Sequence, residues 1–234
     1  IGIPLKDWDI EIYRGVLTGY NDAFIISSEK REEILDNCRS QDERQRTEEI
    51  IRPILRGRDI KRCGYNWAGL YLIWIPWHFP LHLDSSIQGV SEKAEIAFKL
   101  QYPSVYQHLL QYKDKLSARN KAETGIRYEW YALQRWGANY WDLLSQPKII
   151  WGEISDKSKF CIDLHGRYVP EATTFMLSGE NLIYLLAFLN CSVSEYLFSI
   201  IGTTTGVGTV RWKKYKILEL PVPKSIPNDL YSQL

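Results

Sequence analysis

Two short stretches concentrate the side chains able to grip a polyanion. Residues 53–62 read PILRGRDIKR and place Arg56, Arg58, Lys61 and Arg62 around Gly57 and a single aspartate, Asp59, with Arg52 just before them. Residues 211–216 read RWKKYK, with Arg211, Lys213, Lys214 and Lys216 interleaved by Trp212 and Tyr215. Guanidinium and ammonium groups neutralise phosphates, glycine lets backbone amides come close to an anion, and aromatic rings pack or stack. The chemistry on offer is therefore non-covalent capture of phosphate; the plainer reading is a solvated basic face. Over the whole chain 29 Lys and Arg stand against 28 Asp and Glu, a formal charge of +1. Such a balance argues against coating nucleic acid or an anionic membrane indiscriminately and leaves room for a local patch.

Residues that would support catalysis do not assemble in the sequence. His78 and His82 in HFPLH have the spacing of two ligands on one helix face, but Pro80 between them disfavours that helix. GVGTVR (206–211) has the first two glycines of a G-x-G-x-x-G loop, lacks the third and follows a helical pattern instead of a strand. No P-P dipeptide occurs, so the N/D-P-P-Y/F tetrad that holds a flipped base is missing; F-x-G-x-G, Glu-x-Lys and G-x-S-x-G are missing as well. Cys38, Cys63, Cys161 and Cys191 form no C-x-x-C pair and read as four reduced, mostly buried thiols. The expectation is a chain that recognises and does not react, with no metal and no cofactor of its own.

These groups need elements to hold them. Trp8, Ile10 and Ile12 alternate with Asp9 and Glu11 as in a half-buried strand; Gly15, Thr18, Gly19 and Asn21 then form a turn, and AFIIS (23–27) reads as a second strand. Ser27 or Ser28 can cap the helix EKREEILDNCR, and TEEIIRPIL, starting at Thr47 and stopped by Gly57, reads as a short helix that leaves the first basic cluster on a turn at its end. LYLIWIP (70–76) reads as a buried strand. From 91 to 119 the pattern is helical, with a break at Pro103 and Val105, Leu109, Tyr112 and Leu116 along one face. KIIWGEI (148–154), KFCIDL (159–164) and TTFML (173–177) return to strand character, and ENLIYLLAFLN with SVSEYLFSII forms a helical pair. RYEWYALQRWGANYW (127–141) mixes rings with Arg127 and Arg135, as either a base-stacking surface or a core-filling segment would.

At 234 residues with 45% hydrophobic and 24% charged content the chain can bury a sizeable core. Ile1 begins it and its only methionine is Met176, so it reads as a piece of a larger protein. Its start lacks a secretory signal, and the best apolar run, LIYLLAFLNC (182–191), is half of the roughly 20 residues that span a bilayer. A cytosolic setting with no membrane partner is the expectation.

Six segments in order carry a resemblance: WDIEIYRGVLTGYNDAFII (8–26), IIRPILRGRDIKR (50–62), YPSVYQHLL (102–110), PKIIWGEIS (147–155), LLAFLNC (185–191) and RWKKYKILELPVP (211–223). Together they resemble the TaqI-like target-recognition domain at the C-terminus of adenine-N6 DNA methyltransferases, including single-chain type IIG restriction-modification enzymes. The resemblance implies an α+β fold, a curved mixed or antiparallel sheet with packed helices, in a single domain over 1–234 with a helical insert over about 91–146. It implies that this part reads double-stranded DNA while preceding domains bind S-adenosylmethionine, methylate adenine and, where a nuclease is present, cleave with Mg. The same domain type occurs in phage-defence methyltransferases that do not cut, and a protein-interaction module is the reading from another class. The G-R-D-I-K element at 57–61 and the G-x-x-T-G-x-N turn at 15–21 match the family's landmarks. By that resemblance Arg56, Arg58, Lys61, Arg62, Lys213 and Lys214 are phosphate anchors. Arg14, Thr18 and Asn21, with Arg119, Asn120 and Lys121 on the loop after the long helix, are candidate base readers.

Overall fold

A computed structural model describes residues 2–121, 125–204 and 209–223, with Asn120, Lys121 and Thr204 described in backbone only. After a short stretch, Ile3–Pro4, that pairs with Pro221–Val222, the chain forms β1 (Ile10–Arg14), whose alternation buries Ile12 and exposes Glu11. AFIIS divides: a helical turn, α1 (Asn21–Phe24), inserts Ala23 and Phe24 into the core, and only then does β2 (Ile25–Ser27) begin. The Ser27 side chain accepts the Lys30 amide and caps α2 (Ser28–Asp36). Ser40 does the same for α3 (Gln41–Ile50), which passes directly into β3 (Ile51–Leu55).

That last junction corrects the sequence reading. The helix starts six residues before Thr47 and ends at Ile50, so the basic cluster follows a strand. Pro53 is the reason: inside a helix it removes a hydrogen bond and clashes with the preceding turn, at about 3 kcal/mol. In β3 it sits where pairing changes hands, the last residue to face β4 (Leu70–Ile73) before Ile54 and Leu55 pair with another strand.

The helical stretch forms as α4 (Glu92–Gln101), α5 (Pro103–Leu110) and α6 (Lys113–Lys121), with Pro103 in the first turn of α5. It is no appendage. Phe98, Val105, Leu109 and Leu116 join Ile51, Leu72 and Ile73 in one core. Then come β5 (Lys148–Gly152), β6 (Phe160–Asp163), β7 (Val169–Pro170) and β8 (Thr174–Gly179), followed by α7 (Leu182–Leu189), α8 (Ser192–Ile201) and the short α9 (Lys214–Ile217).

Two four-stranded sheets result. The first is antiparallel throughout, in the order β6-β5-β8-β1; the second, β7-β3-β4-β2, is mixed, because β7 runs parallel to β3. Among the described residues neither closes into a barrel. The first sheet is buried on both faces. Ile149, Trp151, Phe160, Phe175 and Leu177 pack under α7 to α9, while their neighbours Ile150, Cys161 and Met176 face the larger core shared with the second sheet and α4 to α6. Double burial removes the polar half of the alternation, which is why IIWG, after Lys148, reads as a continuous apolar run. Each such side chain contributes about 1.5–3 kcal/mol of transfer free energy, making this sheet a stiff platform. No single helix among the described residues is long and apolar enough to cross a membrane.

Candidate functional site

One end of that platform borders a groove of about 1060 Å³. β1 ends there at Arg14, β5 at Gly152, and the segment before β8 contributes Glu171 and Thr173. A 3-10 turn, Gly57–Asp59, follows β3 and sits on the end of β5. The approach is close enough to favour glycines, since a Cβ on Gly152 would lie 3.2 Å from the Gly57 Cα, tighter than an ordinary contact. The Gly57 amide also donates to the Thr173 hydroxyl at 3.2 Å, fixing the turn to the platform. Gly15 serves a similar crossing, where a Cβ would come within 2.3 Å of the Glu171 carbonyl oxygen.

The lining is strongly biased in charge. Arg14, Arg56, Arg58, Lys61, Lys159, Arg211 and Lys213 face three acidic residues, Glu153, Asp156 and Glu171. The two basic clusters of the sequence thus meet across one cavity, and the excess positive charge of a nearly neutral chain is gathered there.

The cations are not equivalent. Arg56 grips Asp59 with two hydrogen bonds, Nε to Oδ2 at 2.9 Å and Nη2 to Oδ1 at 2.8 Å, and its backbone amide donates to the same carboxylate. Burial pushes the Asp59 carboxyl up, but the hydrogen bonds and charge of Arg56 outweigh it and hold the group below its ordinary value. Arg56 is thereby a brace for the turn, not a free anchor. Lys214, exposed along its stem, donates to the Ile12 carbonyl at 2.7 Å and lies over the Tyr13 ring. Arg52 is spent on the carbonyls of Leu144 and Gly166. Lys159 pairs with Asp156. Among the described residues Arg58, Lys61 and Lys213 form no ion pair and are the groove's least committed charges, Lys61 making only a long 3.4 Å hydrogen bond to the Arg58 carbonyl; Arg62 is exposed and does not line the groove.

Of the residues named as base readers, Arg14 and Asn21 line the groove. Thr18 does not: it is 2% exposed, and its hydroxyl donates to the Asn21 carboxamide oxygen. Arg119 belongs to α6 and not to a loop; its guanidinium donates to the carbonyls of Thr18, Trp130 and Ala132 between the rings of Phe24 and Tyr128. Both are structural ties: Thr18 spends its one hydroxyl donor on Asn21, and Arg119 is held by three backbone carbonyls between two rings. Asn120 and Lys121 extend the same helix, and their side chains lie outside the described residues.

Glu153, Lys159 and Thr173 escaped the sequence reading, and Arg211 was seen only as part of a cluster. The signal for Glu153 was its place directly after Gly152 in PKIIWGEIS; nothing local marks Thr173.

The remaining motifs resolve into structure. Tyr128, Trp130, Tyr131 and Tyr140 are buried, so the 127–141 segment fills the core. HFPLH forms turns instead of a helix: both the backbone amide and Nδ1 of His78 meet the buried Glu129, and His82 stacks on Phe79. Among the described residues no three metal-ligating side chains converge. Trp212 stacks on Phe198 with centroids 4.0 Å apart, while Tyr215 stays exposed. The thiols are less buried than expected, since only Cys161 is buried and Cys63 is exposed on the tight turn after Arg62. The glycine loop at 206–208 lies outside the described residues.

A model of the TaqI-like C-terminal specificity domain family matches residues 52–222. Among solved structures the chain is similar to the type IIL restriction-modification enzyme MmeI in complex with DNA, at 12% identity and a TM-score of 0.53 over 99% of this chain and 27% of that one. It is also similar to the type IIG restriction endonuclease BpuSI, at 13% identity and a TM-score of 0.56 over 99% of this chain and 25% of that one. At such identities the likeness is one of fold, and the chain spans about a quarter of either enzyme. No curated protein matches by sequence.

Proposed function

Because the chain belongs to the TaqI-like C-terminal specificity domain family, we propose that its groove seats double-stranded DNA and reads the target sequence for a restriction-modification enzyme. One observation carries the reading: seven basic residues against three acidic ones line a single groove in a chain whose total charge is +1. Focused charge of this kind captures a phosphate backbone at one place and leaves the remaining surface indifferent to it. In this reading Arg58, Lys61 and Lys213 hold phosphates, and Arg14 and Asn21 reach base edges, where an arginine pairs with guanine and a carboxamide with adenine.

The finer assignment follows the resemblance. The parent is an adenine-N6 methyltransferase of the type IIG kind, acting in the prokaryotic cytoplasm. Its other domains hold S-adenosylmethionine and, for cleavage, Mg, and they clamp the duplex from the opposite side. The test uses the full-length parent with tritiated S-adenosylmethionine and a randomised duplex library, sequencing the methylated fraction. One short adenine-containing motif that changes when residues 1–234 are exchanged for a relative's is the expected result. A motif indifferent to the exchange would move recognition elsewhere.

A further inference from the structure

The carboxylate least expected in a phosphate-binding groove is Glu153, and it stands where three segments meet. Its backbone amide donates to the Thr173 carbonyl at 2.9 Å and its carbonyl accepts from the Trp212 amide at 2.7 Å, so its position is fixed from both sides. Its Oε2 accepts from Arg14 Nη2 at 2.8 Å, and its Oε1 lies 3.6 Å from Arg211 Nη1. The side chain of Glu153 is only 14% exposed, whereas Arg14 and Arg211 remain 48% and 43% exposed. The Arg14 Nε is held as well, by the Ala172 carbonyl at 2.8 Å. Two of the five guanidinium donors are thus spent on placing the group, and Arg14 lines the groove with three donors not committed to these two partners.

A negative charge here weakens attraction for every phosphate, so the reason to keep it lies elsewhere. A guanidinium already held by a carbonyl and a carboxylate has lost its freedom before any ligand arrives, and it can satisfy only a partner whose acceptors fit the donors that remain. We propose that Glu153 is a specificity-determining residue: its carboxylate fixes Arg14, keeps Arg211 paired beside it as a second donor for base edges, and withholds both from the phosphate backbone. The proposal rests on the reading of the groove as a DNA site. The ligand chemistry it implies is a pair of acceptors on one base edge, of the kind guanine presents in the major groove.

The test compares Glu153→Gln with Arg58→Ala in the full-length parent, measuring affinity for a short mixed-sequence duplex across a salt series and the motif enriched from a randomised library. Glu153→Gln is expected to bind the mixed duplex about tenfold more tightly, to steepen the salt slope by about 0.9 for each guanidinium released onto a phosphate, and to flatten the enriched motif. Unchanged or weaker binding with an unchanged slope, while Arg58→Ala lowers both, overturns the proposal and leaves the groove reading standing. If neither variant alters binding to the mixed duplex, the groove reading fails and the proposal with it. Should Glu153→Gln not fold, the Arg14→Gln, Arg211→Gln double variant decides. A loss about tenfold greater on the preferred motif than on the mixed duplex supports the proposal, and an equal loss on both overturns it.

Discussion

The residues of the groove separate into those that meet a ligand and those that hold the others in place, and substitution should distinguish them. Arg58→Ala and Lys61→Ala are expected to weaken binding to all DNA alike and to lower the salt slope by about 0.9 for each lost phosphate contact, read from binding isotherms at several ionic strengths. Unchanged slopes in both would take these residues out of the interface. Arg14→Ala should instead cost roughly 1–3 kcal/mol on the preferred sequence and little on others. Arg56→Ala acts through the fold, since it strips the buried Asp59 of its two guanidinium bonds. A loss of about 1–3 kcal/mol of stability is expected at neutral pH. The Asp59 carboxyl is held below its ordinary 3.8, so its contribution is complete above that value and disappears as pH falls through the lowered one. Denaturation midpoints of the parent chain and Arg56→Ala should therefore converge in acid; a gap that stays constant as pH falls would assign the loss to packing instead.

At the scale of elements, the strands of the first sheet and most helices were legible because apolar spacing and capping serines are local signals. Ser27 caps α2 as its position suggests, whereas Ser40 and Ser91 also cap helices, α3 and α4, that the sequence reading did not start from them. Residues 51–55 differ from the sequence expectation because TEEII continues a helical rhythm that Pro53 cannot share. What β5 needs at its start was not legible at all. Lys148 is fully buried, and its Nζ donates to the carbonyls of Leu144 and Gln146 and to Asp163 on β6. Burial lowers the Lys148 pKa, and the Asp163 carboxylate opposes that shift. Asp163 in turn accepts the backbone amides of His165, Arg167 and Tyr168, so the pair ties the start of β5 to the turn that follows β6. Lys148→Ala would leave a buried carboxylate without its countercharge and is expected to cost about 3–5 kcal/mol, measurable by chemical denaturation. A loss below about 1 kcal/mol would show that water reaches Asp163 readily.

For the whole molecule, the relevant quantity is the placement of charge and not its total. A sheet buried on both faces gives the groove a stiff floor, and the chain brings its two basic clusters to that one groove from positions 56–61 and 211–213. Residue order alone established that the chain carries two phosphate-competent clusters, that its helices and strands alternate as an α+β domain, and that it resembles the family whose model matches it. These follow from composition, from periodicity over a few residues and from motif order, all of which are properties of the unfolded chain as much as of the folded one. Only the tertiary structure decided which charges are available. Arg14 and Glu153 are 139 positions apart, Lys214 and the Ile12 carbonyl 202, and Arg119 and the Thr18 carbonyl 101. A cation is free or engaged according to the acceptors that folding brings within about 3 Å, and separations of that length leave no trace in local spacing.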